Sequence, residues 1–109
     1  MKPTLHLDVL LQKTNEGYKA HCLQFDLVEV APTAEEAEQA IKDVITVHIE
    51  YSLAYDNREY LFRSASLEAW NAFFSSRSYK RLTLKIRSEQ TVSPFPDTID
   101  LQESLLEAA

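Results

Sequence analysis

Glycine is almost missing from this chain: Gly17 is the only one among 109 residues. A phosphate-cradling loop needs several residues free of a Cβ, so nucleotide hydrolysis by a loop-and-helix motif is excluded. Cysteine is equally scarce. Cys22 stands alone, which rules out a disulfide within one chain and any cysteine-based metal cluster. Its neighbour His21 invites a thiolate-and-base reading, but adjacent side chains of a strand point to opposite faces and the two cannot meet. No apolar run reaches the ~20 residues that span a bilayer. The opening MKPTLHLDVLLQK is broken by His6 and Asp8, unlike the uninterrupted apolar stretch of a signal peptide. A cytoplasmic protein without membrane association or cofactor is expected.

Apolar residues make up 45% of the chain and charged ones 26%, the balance of a globular domain and not of a disordered segment. At this length one domain with a single core is expected over residues 1–109. The net charge of -6 is unevenly spread: residues 1–60 carry -6, residues 61–88 carry +5, and residues 89–109 carry -5 with no Lys or Arg. The acidic first half suits a basic partner, whereas phosphate binding over the whole surface needs clustered cations.

Thr4–Gln12 alternates Leu5, Leu7, Val9 and Leu11 with mostly polar residues, the period of a half-buried strand. TNEG then predicts a hairpin turn, with Asn15 and Gly17 supplying positive φ, and YKAHCLQ returns. A third strand, LVEVA, is stopped by Pro32. Thr33 followed by Glu36 is a capping-box pattern, and Glu35, Glu36 and Glu38 put negative charge at the positive end of a helix dipole. The helix is predicted from Ala34 to about Tyr55, with Ala37, Ile41, Val44, Ile45, His48 and Tyr51 as its apolar face. From Val47 onward it turns apolar nearly all round, which predicts burial on a second side. Ser66 caps a short helix with Leu67, Trp70, Phe73 and Phe74 at helical spacing. YKRLTLKIR reads as a strand with a basic outer face, and the two-proline tail closes in a weak helix, IDLQESLLEAA, poorly ordered or docked on a neighbour. The order β-β-β-α-α-β predicts an α+β fold, an antiparallel sheet packed on one long helix.

His6, His21 and His48 fall on two strands and the helix without metal-site spacing, and His6 and His21 are candidates for cross-strand neighbours. Carboxylates such as Asp97 and Asp100 read as solvated. Lys80, Arg81, Lys85 and Arg87, with Tyr79, form either a small nucleic-acid patch or a charged edge strand that discourages unwanted pairing. No nucleophile, base and orienting group can be placed together, so no enzyme activity is expected.

Residues 4–56 resemble the HicB-like antitoxin family. The resemblance rests on the Gly17-Tyr18 pair after the hairpin, the Ala-x-Cys-Leu stretch of Ala20 to Leu23, the acidic-apolar link, and the Thr-x-x-Glu-Ala helix start of Thr33, Glu36 and Ala37. It implies a partly open ferredoxin-like or double-stranded-RNA-binding-like sheet, a dimeric or tetrameric assembly, and the masking of a small basic RNA-cleaving toxin. Two features depart from it. Ala31 stands where the family has a glycine two residues before the capping threonine. Residues 58–109 do not read as a helix-turn-helix or ribbon-helix-helix, so operator binding is not expected of them; 58–88 reads as a helix-strand extension and 89–109 as a tail. For the partner surface the acidic candidates are Asp26, Glu29, Glu35 and Glu38. For self-association they are Val47, Tyr51, Tyr55, Trp70 and Phe74. The alternative to an antitoxin is a stand-alone oligomeric scaffold without a toxin, or a weak nucleic-acid binder through Tyr79 to Arg87.

Overall fold

A computed structural model describes residues 4–55, 59, 61–86 and 98–106. Strands β1 (Thr4–Thr14), β2 (Gly17–Cys22) and β3 (Leu27–Ala31) lead into helix α1 (Ala34–Ala54); helix α2 (Leu67–Ser75) and strands β4 (Arg77–Lys85) and β5 (Thr98–Leu106) follow. The fold is α+β, built on a five-stranded sheet in the order β3-β2-β1-β5-β4.

The hairpin forms where expected, with Thr14 paired to Gly17 across Asn15 and Glu16. Gly17 takes φ 147°, and the other positive φ among the described residues belongs to Asp26, at 55°, not to Asn15. A Cβ on Gly17 would stand 2.3 Å from the Ala31 carbonyl oxygen and 2.9 Å from Pro32 Cα. The single glycine therefore lets β2 close against the end of β3 as well as forming the turn.

The sheet is mixed, which corrects the antiparallel expectation. β1 pairs antiparallel with β2 but parallel with β5, and β4 pairs antiparallel with β5. The element responsible is the tail: Thr98–Leu106 is not a weak helix but a strand between β1 and β4. Ile99, Leu101 and Leu105 point into the core at period two. The buried carboxyl of Glu103 interrupts that row and hides the alternation from a hydropathy reading.

Helix α1 begins as the capping box predicts, with the Glu36 amide donating to Thr33 Oγ1 at 3.1 Å. Its buried row is Ala37, Ile41, Ile45, Ile49 and Leu53, packed on Leu7, Val9, Leu11, Ala20, Cys22, Ile99 and Leu101. Full burial of each large aliphatic in that row contributes about 1.5–3 kcal/mol. Tyr51 does not belong to the row: it is 56% exposed, as Ile49 and Ser52 carry the buried stripe on. Of the residues from Val47 onward that turn the helix apolar nearly all round, Ile49 and Leu53 are buried, while among the described residues nothing covers Val47 or Tyr55, which are exposed.

The opposite sheet face is set by the intervening residues. Leu10 and Ser104 are buried there, and a cleft between this face and α2 is lined by Leu10, Gln12, Lys19 and His21 on one side and Ala69 and Ala72 on the other. Helix α2 caps on Ser66, whose hydroxyl accepts from the Ala69 amide at 3.2 Å, yet none of its residues is buried. Trp70, Phe73 and Phe74 cluster ring on ring instead.

Candidate functional site

The link from β2 to β3 is held from three directions. Gln24 exchanges two hydrogen bonds with Asp8, accepting from its amide at 2.8 Å and donating to its carboxylate at 2.9 Å. The extended segment before α2 straps across the link, with the Arg63 and Ala65 amides donating to the carbonyls of Gln24 and Leu23. Phe25 is buried between His48 and Phe62, and His48 Nε2 donates to the Leu61 carbonyl at 2.9 Å. This frame sets Asp26 in the left-handed region, where its Oδ1 lies 2.7 Å from His21 Nε2. Asp is among the few residues besides glycine that occupy this region routinely.

Beyond Asp26 runs the outer edge of the sheet. Among the described residues no strand pairs with the far side of β3, and Val28 and Val30 are 47% and 61% exposed. From Ala20 to Ile41 the chain carries Asp26, Glu29, Glu35, Glu36 and Glu38 and neither Lys nor Arg. An open edge with a short apolar row inside an acidic margin is an adhesive feature that a solitary domain ordinarily blunts.

The four acidic candidates occupy different settings. Glu35 is exposed at the start of α1, Glu29 is half-buried, and Asp26 is exposed but engaged with His21. Glu38 is not an exposed rim charge: only 9% of it is accessible, and both its oxygens accept from Lys80 Nζ, at 3.3 and 3.1 Å. Next to it, on β5, Glu103 is 1% exposed, and neither of its oxygens meets a donor among the described residues. Burial, then the neighbouring Glu38 carboxyl, push Glu103 up to about 7, against the opposing pull of Lys80 and Lys42. The hydrogen bond and charge of Glu38 in turn hold the Lys80 ammonium above its ordinary range. No single-sequence signal marks this group, since its members lie far apart in the chain.

The expected basic face of β4 is divided. Strand alternation puts Lys80, in phase with Leu82 and Leu84, opposite Glu103 on the α1 side and Arg81 opposite Gln102 on the other, and a register irregularity lies just before, between Ser78 and Lys80. Arg81 donates to Gln102 Oε1 at 2.8 Å and Lys85 to Thr98 Oγ1 at 2.9 Å. Arg87 lies outside the described residues. His6 is not a cross-strand neighbour of His21, which pairs with Leu10; His6 Nδ1 lies 2.9 Å from Asp100. Cys22 faces the core on the side away from His21, and burial pushes its thiol up to about 12.

The apolar candidates separate into two sets. Tyr51 and Tyr55 lie ring to ring at 4.6 Å on the outer side of α1, with Val47 one turn earlier. Phe74, 74% exposed, and the half-buried Trp70 sit on α2 across the sheet. They do not form one continuous patch. Among the described residues no helix is long and apolar enough to cross a membrane.

Comparison of the chain with protein-family models, with curated proteins and with solved structures gives no match.

Proposed function

We propose that the chain is a non-enzymatic, HicB-like protein-binding module, antitoxin-like in masking a small basic RNA-cleaving toxin. The observation that carries this reading is the open edge of β3, with Val28 and Val30 exposed in a stretch of chain that carries Asp26, Glu29 and Glu35 and neither Lys nor Arg. An extended segment of a basic partner would add its backbone to that edge, as in strand-addition recognition, and the acidic margin would speed its approach. Capture with the tagged full chain, followed by reconstitution with the purified basic partner, tests it. Binding should weaken at least tenfold in a Val28→Lys/Val30→Lys variant that keeps its fold. Equal affinity in wild type and variant would remove β3 from the interface.

A second reading, a homo-oligomeric scaffold without a toxin, draws support from the exposed aromatic side chains of α1 and α2. Light scattering separates the two: a concentration-independent dimer or tetramer broken by Phe74→Ser favours assembly through α2, and a monomer argues against it.

A further inference from the structure

Glu103 occupies the third inward position of β5, in a row otherwise made of Ile99, Leu101 and Leu105. Its register neighbours are Val9 on β1 and Lys80 on β4, and Glu38 of α1 lies beside it. An ionised carboxylate with no donor in such a place is costly. A single shared proton resolves the conflict, because a protonated Glu103 becomes the donor that Glu38 accepts.

We propose that Glu38, Glu103 and Lys80 form a proton-held clasp that joins α1, β5 and the bulged end of β4, and that loss of the shared proton releases that end of β4. The charged or titratable groups facing the clasp are Glu38 and Lys42 from α1, Glu103 from β5, and Lys80 and Tyr79 from β4. With the proton bound, one carboxylate faces the Lys80 ammonium. With it lost, two buried carboxylates share that ammonium, and the cheapest relief is to admit water.

β4 is the element able to yield. Among the described residues it is paired on one side only, and every residue from Arg77 to Arg81 is exposed. The irregularity between Ser78 and Lys80 already interrupts its ladder beside the clasp. β1 and β2, by contrast, are flanked on both sides.

The sign follows from linkage. Glu103 binds its proton more tightly in the folded protein than in the unfolded chain, so its contribution is intact below the ordinary carboxylate range. It is lost as pH rises through about 7.

The test is hydrogen exchange of the full chain between pH 5 and 8.5, corrected for intrinsic exchange. In wild type, protection of the β4 amides bonded to β5 should fall by up to about a hundredfold across neutrality relative to β1 and β2. In Glu103→Gln, whose amide donates to Glu38 as the protonated acid does, protection should stay level, and likewise in Glu103→Leu. A His6→Asn/His21→Asn variant should keep the wild-type profile. A level wild-type profile, the same decline in Glu103→Gln, or its disappearance in the histidine variant would each overturn the proposal. Carbon-13 carboxyl titration of the wild-type protein reads the same group without any substitution: a midpoint near neutrality supports the clasp, and one in the ordinary carboxylate range refutes it.

Discussion

The Asp26 carboxylate lies 2.7 Å from the His21 imidazole while its own backbone sits at φ 55°. One residue thus ends the β2–β3 link, ties it back to β2, and begins the open edge. The left-handed backbone costs most side chains about 1–2 kcal/mol and glycine almost nothing. Asp26→Ala should therefore lower the urea midpoint by an amount corresponding to about 1–2 kcal/mol, and Asp26→Gly by clearly less. Equal losses would assign the cost to the lost His21 contact and not to the backbone.

Gly17 is tested in the opposite sense. Because a Cβ there would meet the Ala31 carbonyl oxygen at 2.3 Å, Gly17→Ala should destabilise by about 2 kcal/mol or more, joining steric displacement to an unfavourable φ. A melting temperature within a degree of wild type would mean that β3 moves aside freely.

The C-terminal segment supplies the sharpest test of the topology. Leu101 is fully buried and lies between Leu7 and Leu82 in register, so Leu101→Ala should cost about 2–5 kcal/mol. The half-buried Leu82 on the edge strand should cost less on the same change. A chain ending before Thr98 should lose its cooperative unfolding transition. Retention of that transition would return β5 to the status of a dispensable tail.

Much of the first half is legible from local chemistry. The hairpin at Gly17, the proline stop and the Thr33–Glu36 cap each depend on residues within four positions of one another. The misreadings involve residues whose partners are distant. Glu103 breaks the apolar alternation of β5 because Glu38 and Lys80 accommodate a carboxyl there, so the strand reads as a helix. Glu38 belongs on the acidic side of a capping pattern and also borders the stripe of Ala37, Ile41 and Ile45; only the Lys80 contact, 42 positions away, decides between rim and interior. The separation of Lys80 from Arg81 follows from the alternation of Leu82 and Leu84 and is legible in the sequence, whereas the irregularity between Ser78 and Lys80 leaves no compositional mark. Of the candidate site, the acidity of the β3 margin is visible in the sequence, but the open edge beside it depends on sheet order.

Cys22 provides an independent probe of the closed core. It is buried and its thiol is pushed up to about 12, whereas alkylation requires an exposed thiolate. At pH 8 iodoacetamide should label the folded chain only through unfolding, so labelling should rise with urea in parallel with the loss of helical signal. Rapid labelling in buffer would contradict the packing of β2 beneath α1.

The proposed function rests on the edge of β3, and the most direct measurement is association kinetics between the full chain and a purified small basic toxin of the proposed class. Wild type should be compared with Glu29→Lys/Glu35→Lys and with Val28→Lys/Val30→Lys at two salt concentrations. The account predicts slower association and a weaker salt dependence for the charge variant, and faster dissociation for the valine variant. Unchanged rates in both folded variants would contradict it.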